Sequence, residues 1–195
     1  AKRYAKALQR LQSRKRYLVM VEGQFPDSLS AYGWLSADAQ SRVRKKRRFT
    51  PAPPPDDARA ETARTDFCCL LRGQGLSLLS AELFTGRTHQ IRATLASVGY
   101  PVVGDKLYGV DDEIYLRFIA DELHEDDRQR LRLPRQALHA WTIRLDGPAG
   151  PQEFRAPMPE DMRQLVIAAN MAPVQSAGAG NEADELFLAG GSALS

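Results

Sequence analysis

Residues 84–92 bring together side chains that bind anions. Arg87, His89 and Arg92 lie in this short stretch, which leaves a strand, turns at Gly86 and enters a helix. The first turn of a helix presents free N–H groups and the positive end of the helix dipole, so an anion is well held there. His89 and Arg92 are three residues apart and share one helix face. The stretch predicts an anion-binding corner, although ordinary surface arginines beside a capped helix would explain the same pattern.

Positive charge is concentrated at the start of the chain. Residues 1–50 carry 13 Lys and Arg against 3 Asp and Glu, whereas the whole chain of 195 residues has a net charge of only +3. Arginine outnumbers lysine 21 to 6, and the guanidinium fork matches the geometry of phosphate oxygens. This imbalance, densest in residues 42–48, suggests a polyanionic partner. A solvated surface would have the same composition, so the charge run alone does not decide between the two.

Several classes of site find no support in the sequence. Cys68 and Cys69 are the only cysteines, and their adjacency suits neither a disulfide nor a metal site. His89, His124 and His139 share no metal-ligand spacing, and no glycine-rich loop of the nucleotide-hydrolase type is present. No apolar stretch approaches the roughly 20 residues that cross a bilayer. We therefore expect a cytoplasmic protein with no metal, nucleotide cofactor or membrane association.

The elements around residues 84–92 follow from local patterns. Residues 17–21 are a short apolar run typical of a buried strand, and two β-type runs flank a turn at residues 72–75. Thr88 is predicted to cap a helix that runs to Val98, because Gly99 suits the position just after a helix end. The motif is thus predicted to join a strand to a helix.

The remaining pattern indicates an α+β fold, a bent and mainly antiparallel sheet with flanking helices. Residues 24–63 are poorly periodic and are interpreted as a long excursion from the sheet. An acidic helix from about Asp112, a hairpin within residues 136–155 and a last helix opened by Pro159 complete the fold. We expect one domain over residues 1–170, a flexible tail over residues 171–195, and a monomer.

Two segments carry a more specific signal. They read Thr85-Gly86-Arg87-Thr88-His89-Gln90-Ile91-Arg92 and Pro101-Val102-Val103-Gly104-Asp105-Lys106-Leu107-Tyr108-Gly109. Together they closely resemble the signature of the RluA-type pseudouridine synthases. Residues 14–23 resemble the Lys-x-Tyr strand of that family, and residues 133–140 and 154–159 resemble its closing strands. The resemblance covers residues 1 to about 167.

The resemblance implies a cofactor-free isomerase that converts uridine to pseudouridine in ribosomal or transfer RNA. In that family an aspartate acts on the nucleoside, and the uracil detaches, rotates and rejoins the ribose through carbon. Arg92 matches the arginine that pairs with this aspartate and keeps it ionised. Tyr17 matches the residue that stacks on the uracil and assists loss of the C5 proton. Arg87 and His89 are expected beside the RNA backbone and the flipped nucleotide.

The basic run is similar to the Arg/Lys-rich crossover of the same family. The residues expected to contact RNA there are Arg44, Lys45, Lys46 and Arg47. Contacts between such side chains and phosphates make binding depend strongly on salt. RNA is therefore the expected partner of this segment.

The chain departs from the family pattern at the nucleophile. In the family this aspartate lies in a His-Arg-Leu-Asp-Arg segment upstream of the Lys-x-Tyr strand, and no such segment precedes Tyr17. Asp146 lies in a turn pattern, and Asp105 matches the turn of the family signature. We expect the sequence to begin downstream of the catalytic aspartate, so that the fold is incomplete at its N-terminal side and this stretch alone is inactive. The alternative is a non-catalytic RNA-binding protein derived from the same fold.

Overall fold

A computed structural model of the chain describes residues 13–55, 57–109, 111–147 and 150–175, together with Leu186. Within these residues the strands are β1 (Ser13–Glu22), β2 (Ser28–Ala37), β3 (Arg47–Thr50), β4 (Glu61–Gly73), β5 (Leu76–Leu83), β6 (Leu138–Gly147), β7 (Gly150–Arg155) and β8 (Ala172–Pro173). The helices are α1 (Gln90–Ser97), α2 (Asp112–Ile119), α3 (Glu125–Leu131) and α4 (Glu160–Ala168).

All the strands belong to one antiparallel sheet. Its order is β3-β2-β4-β5-β1-β6-β7, and β8 pairs with the end of β4. Tyr17 of β1 lies between Ala81 of β5 and Ala140 of β6, next to a bulge that follows Arg16. The predicted α+β fold with a mainly antiparallel sheet is confirmed.

Strand β1 crosses the middle of the sheet because its residues are apolar on both faces. Leu18, Val19, Met20 and Val21 are all fully buried, as expected of a strand covered on two sides. Val19 and Val21 face the core on the α1 side, whereas Leu18 and Met20 face the core on the α4 side. A continuous apolar run therefore builds two cores, one on each face.

A helix packs against each face of the sheet. On one face α1 supplies Ile91, Ala93 and Leu95 to the core. On the other face α4 supplies Met162 and Val166, which pack in the cluster that also contains Trp141. No helix among the described residues is long and apolar enough to cross a membrane.

The interpretation of residues 24–63 as an excursion from the sheet is wrong for residues 28–37, 47–50 and 61–63, which form β2, β3 and the start of β4. Ala31, Gly33 and Leu35 alternate toward the core. Alanine and glycine carry little β-propensity, so the alternation is weak in the sequence. Strand pairing with β4 forms this element despite its composition.

Two boundaries also differ from the predictions. Helix α1 begins at Gln90 with His89 at its N-cap and without a side-chain cap, so the prediction that Thr88 caps it is wrong. The folded part continues beyond residue 170, because β8 pairs with β4 and the Val174 N–H donates to the Leu70 carbonyl over 3.0 Å. The predicted tail is therefore wrong for its first residues, and residues 176–185 and 187–195 lie outside the described part.

Candidate active site

The loop that enters α1 is fixed by the buried amide of Gln90. Its Oε1 accepts hydrogen bonds from the Thr85 hydroxyl (2.8 Å) and the Arg87 N–H (3.0 Å). Its Nε2 donates to the Arg64 carbonyl (3.0 Å) and the Thr65 hydroxyl (2.9 Å). The amide thus uses both donors and both acceptor positions. It ties the Thr-Gly-Arg turn to β4 and sets where α1 starts.

Two residues further along α1, Arg92 forms a bidentate ion pair with Asp105. Its Nε and Nη2 donate to the two carboxylate oxygens over 2.5 and 2.7 Å. The Asp105 side chain is fully buried, and that of Arg92 is 12% exposed. Planar fork-to-carboxylate geometry of this kind fixes the guanidinium plane. The pair leaves Nη1 as the one guanidinium nitrogen outside it.

Asp105 is itself held by the turn that carries it. The carboxylate oxygen that accepts from Arg92 Nη2 also accepts the backbone N–H groups of Leu107 (2.9 Å) and Tyr108 (3.0 Å). An aspartate that binds backbone N–H groups two and three residues ahead organises a tight turn. The turn therefore holds the carboxylate in the position where Arg92 binds it.

Tyr108 connects this pair to strand β3. Its hydroxyl accepts the Arg47 N–H over 2.8 Å and lies 3.1 Å from Nδ1 of His89. The Arg92 guanidinium carbon lies 5.0 Å from the centroid of the Tyr108 ring, which is within the range of a cation–π contact. The tyrosine is almost fully buried, and burial raises the pKa of its phenol. It stays protonated and can donate as well as accept a hydrogen bond.

His89 occupies a backbone conformation that L-residues rarely adopt. Its φ is 59°, in the left-handed region, where strain persists only if the surroundings hold the residue in place. Burial lowers the pKa of the half-buried imidazole, and the nearby Arg92 lowers it further. With its pKa below the ordinary value of 6.5, the ring is mainly neutral at pH 7.

Two of these residues, His89 and Arg92, border a cavity of about 330 Å³. Its lining includes the cationic side chains of Lys45, Arg92, Lys106 and Arg135, together with His89 and Phe118. The Lys106 Nζ lies 4.9 Å from the Phe118 ring centroid, and burial lowers the pKa of this lysine. Cations beside exposed aromatic surface suit a ligand that combines a phosphate with a flat base.

Comparison with known proteins assigns the family. A family model described as RNA pseudouridylate synthase matches residues 1–97. A ribosomal large subunit pseudouridine synthase D from Nitrosomonas europaea is 40% identical over 116 residues, which are 58% of this chain and 31% of that protein. The chain belongs to the RluA-like family of pseudouridine synthases.

Two further comparisons are consistent with this family assignment. An uncharacterized RNA pseudouridine synthase from Chloroflexus aurantiacus is 36% identical over 156 residues, which are 79% of this chain and 41% of that protein. The structure of human RNA Pseudouridylate Synthase Domain Containing 1 has the same fold, with a TM-score of 0.63 and 21% identity over 96% of this chain and 68% of that one. The chain spans less than half the length of the Nitrosomonas europaea and Chloroflexus aurantiacus relatives.

The structure brings together some of the predicted site residues of this family member. His89, Arg92 and Lys45 line the same cavity. Tyr17 is half-buried, lies on the α1 side of the sheet and packs against the core there. It is not among the described residues that line this cavity, and it borders a second one of about 340 Å³ beside Trp141.

The predicted RNA-binding residues fall into two groups. Arg44 and Lys45 are exposed, and Lys46 is half-buried with its Nζ 6.0 Å from the Tyr108 ring centroid. Arg47 and Arg87 have partners within the fold. Arg47 Nη2 donates to the Leu35 carbonyl and to Glu61, both over 3.1 Å. Arg87 Nη1 lies 3.1 Å from the other oxygen of the same glutamate.

Three residues hold the site together in ways that the sequence did not predict: Gln90, Asp105, which was assigned only to a turn, and Tyr108. Two of them belong to the second of the segments that resemble the family signature, and Gln90 belongs to the first. The pattern Asp-x-x-Tyr at residues 105–108 indicates a turn, but a turn pattern does not tell which distant cation its carboxylate will bind. The contact between Arg92 and Asp105 arises only when the strands and α1 are assembled.

Other chemistries are less well supported. Within the described residues, no group of three or more His, Cys, Asp or Glu side chains could hold a metal ion. Burial raises the pKa of the Cys69 thiol to about 11, so it is not a thiolate nucleophile at neutral pH. His139 lies beside the Ala156 carbonyl, and His124 caps α3.

Proposed function

We propose that the full-length protein is an RNA pseudouridine synthase that isomerises uridine to pseudouridine. The observation that carries this proposal is the Arg92–Asp105 pair, which sits within the family motif at a cationic, partly aromatic cavity. In the reaction the bond between ribose C1′ and uracil N1 breaks and a bond from C1′ to C5 forms. C5 loses its proton, and N1 gains one. Substrate and product are isomers, so the proposal includes no cofactor, metal or nucleotide.

Arg92 and Tyr17 are the proposed catalytic residues. The pair with Asp105 fixes the Arg92 guanidinium plane and leaves Nη1 outside the pair. This nitrogen would hold the nucleophilic aspartate ionised, because a cation at contact distance favours the charged carboxylate. Tyr17 would stack on the uracil and assist loss of the C5 proton.

The nucleophile is proposed to come from a part of the protein outside these 195 residues. Asp105 already binds Arg92 and two backbone N–H groups. Asp146 belongs to the β6–β7 hairpin, 3.4 Å from Nε of Arg144. The 195-residue chain by itself would then bind RNA without converting it.

RNA is the proposed substrate and partner. The exposed Lys45 at the cavity and the exposed Arg44 next to it in the sequence support phosphate contacts, and several relatives are named as ribosomal large subunit pseudouridine synthases. We therefore propose ribosomal RNA as the first substrate to test and transfer RNA as the second. A monomeric, cytoplasmic enzyme completes the proposal.

The test measures pseudouridine formed in RNA by the full-length protein. Large-subunit ribosomal RNA and transfer RNA transcripts are incubated with it, digested to nucleosides and analysed by chromatography and mass spectrometry. We expect pseudouridine with the wild type, and about a hundredfold slower conversion with Arg92→Gln because an electrostatic interaction at the reacting groups is removed. Arg163→Gln, a change of an exposed residue on α4, is the matched control.

The outcomes separate the two functions that the sequence allows. Conversion that is as fast in Arg92→Gln as in the wild type would remove Arg92 from the reaction. Salt-dependent RNA binding with no pseudouridine from any of the RNAs would point instead to a non-catalytic RNA-binding protein. Circular dichroism of each variant confirms that the fold is retained, which is needed because Arg92 also stabilises the turn at Asp105.

A further inference from the structure

We infer that His89 is a neutral hydrogen-bond donor to the substrate, with its proton on Nε2, and that Tyr108 is the positioning residue that fixes this tautomer. The inference rests on the proposed function for its substrate, whereas the tautomer follows from the contacts alone. Neither residue has been assigned this role by the family comparison.

Hydrogen-bond directions at the Tyr108 hydroxyl determine the tautomer. The Arg47 backbone nitrogen can only donate, so the hydroxyl accepts its N–H over 2.8 Å. The hydroxyl proton is then directed to another acceptor, and Nδ1 of His89 lies 3.1 Å away. If Tyr108 donates to Nδ1, that nitrogen carries no proton. In a neutral imidazole the proton must then be on Nε2.

The opposite arrangement leaves a buried proton without an acceptor. If Nδ1 carried the proton, it would donate to the Tyr108 hydroxyl, which would then accept two hydrogen bonds. Among the described residues, no other acceptor is recorded for the phenol proton, and Tyr108 is only 2% exposed. An unsatisfied buried donor is costly, so the Nε2–H tautomer is favoured.

The charges around His89 also favour a neutral ring. Arg92 faces it from α1, Lys45 from the segment that leads into β3, and Arg47 from the start of β3. Asp105 is the opposing carboxylate, and both its oxygens are bound by Arg92. Three cations against one carboxylate leave an excess of positive charge, which disfavours an imidazolium.

The backbone holds the ring in place. The φ of 59° at His89 puts the residue at the N-cap of α1 rather than in its first turn. The His89 and Tyr108 rings meet edge to face with centroids 5.6 Å apart. A residue kept in a strained conformation by packing and a hydrogen bond has little freedom to turn away from the cavity.

This geometry gives His89 a role distinct from that of its cationic neighbours. Arg92 and Lys45 supply charge that suits phosphate or carboxylate groups. A neutral N–H donor suits an uncharged acceptor, and the uracil carbonyl oxygens are such acceptors. His89 would therefore help to orient the base rather than carry a proton during the reaction.

Nitrogen NMR of the full-length protein tests the tautomer directly. In protein labelled with ¹⁵N-histidine, the two ring nitrogens of His89 are identified by their loss in His89→Asn, and His124 and His139 serve as internal references. We expect Nδ1 to resonate as an unprotonated nitrogen and Nε2 as a protonated one at pH 7.5. A protonated Nδ1 would overturn the inference.

Removal of the phenol hydroxyl tests the role of Tyr108. In Tyr108→Phe we expect the His89 nitrogens to move toward the averaged positions of a tautomer mixture, while the signals of His124 and His139 stay unchanged. His89 signals identical to those of the wild type would show that Tyr108 does not fix the ring. Unchanged reference signals establish that the variant is folded.

Activity assays then test the donor role. The amide of Gln can place a donor near the position of Nε2, so His89→Gln should retain near wild-type KM, whereas His89→Ala should raise KM by about threefold to tenfold through loss of one neutral hydrogen bond. Asp121→Gln and Asp121→Ala are matched backbone controls, because Asp121 is exposed and has the same φ of 59°.

The outcomes distinguish this inference from the proposed function. Equal KM values for the wild type and His89→Ala would refute the donor role. A pH profile of kcat/KM that changes shape between the wild type and His89→Gln would show that His89 carries a proton, which also refutes it. If the wild type forms no pseudouridine, the proposed function and the donor role fail together, but the NMR result still decides the tautomer.

Discussion

Two hydrogen bonds of 2.5 and 2.7 Å join the guanidinium of Arg92 to the carboxylate of Asp105, and only the guanidinium is partly exposed. The carboxylate is completely enclosed, whereas the guanidinium reaches the cavity. The structural anchor and the proposed catalytic group are therefore the two halves of one ion pair. Changes to the buried half should act on both stability and activity.

We expect Asp105→Asn to lower the free energy of unfolding by about 3 kcal/mol, because removing one partner leaves the other charge uncompensated in a buried setting. Urea unfolding followed by circular dichroism measures this change. Asp146→Asn is the matched control, since Asp146 lies in an exposed ion pair with Arg144 and should change stability by less than about 1 kcal/mol. Equal effects of the two changes would contradict the anchoring role of Asp105.

Gln90 should matter through all four of its hydrogen bonds. We expect Gln90→Leu to destabilise the protein by about 2 kcal/mol, because the Arg64 carbonyl and the Arg87 N–H lose a buried partner. The exposed Gln164 offers a control, and Gln164→Leu should change stability by less than about 0.5 kcal/mol. A Gln90→Leu protein as stable as the wild type would mean that water replaces the amide.

Gly104 and Gly75 have nearly the same φ but different surroundings, so together they distinguish the cost of backbone strain from the cost of a steric clash. A Cβ at Gly104 would lie 2.0 Å from the Arg135 carbonyl oxygen at a φ of +73°, whereas Gly75 has a φ of +74° and open space around it. We expect Gly75→Ala to cost about 1 kcal/mol from the left-handed backbone alone. Gly104→Ala should cost about 2 kcal/mol more because the chain must also move. Thermal unfolding of both variants measures the difference. Similar losses of stability would show that the backbone at Gly104 moves to accept a Cβ without a further cost.

The sequence was informative where one local pattern determines an element. The apolar run of β1 and the Gly99 position after α1, where φ is 87°, required no knowledge of distant residues. The fold class and the family also follow from the sequence, since the motif at residues 85–92 is contiguous. The described structure confirms the strand, the helix end and the fold class.

What sequence reasoning missed depends on contacts between distant segments. Strand β2 is weak in composition and forms by pairing with β4. His89 replaces Thr88 at the helix start because the Gln90 side chain ties the loop to β4 and the Tyr108 hydroxyl contacts the His89 ring. The acidic run that ends at Asp127 has the composition of a solvated helix end, yet Asp127 itself is buried. Such pairings have no signature in the sequence.

Asp127 gives the protein a defined sensitivity to acid. Two hydrogen bonds from Arg117 (2.6 and 2.7 Å) are the main cause of its pKa of about 2, against an ordinary value of 3.8. Because the pKa is lower in the folded state, its stabilising contribution is fully present above about pH 4 and is lost as the pH falls toward 2. Stability measured from pH 6 to pH 2 should therefore fall less steeply in Asp127→Asn than in the wild type.

A neighbouring carboxylate provides the control for this acid sensitivity. Asp126 lies in the same first turn of α3 but is exposed. Asp126→Asn should keep the steep loss of stability between pH 4 and pH 2. If Asp126→Asn flattened the curve as much as Asp127→Asn, the effect would come from the charge of the helix end and not from the bond to Arg117.

The basic segment should divide into residues that bind RNA and a residue that holds the fold. Neutralising the exposed Arg44 and Lys45 to Gln should weaken RNA binding and make the log–log salt slope shallower by roughly 0.7–0.9 for each phosphate that is no longer neutralised. Arg47→Gln should instead lower stability, because its guanidinium bonds Leu35 and Glu61 within the fold. Filter binding at several salt concentrations measures the slope, with Arg163→Gln on the opposite sheet face as control. If the double substitution leaves the slope unchanged, Arg44 and Lys45 do not contact RNA phosphates, and the RNA contacts lie elsewhere around the cavity.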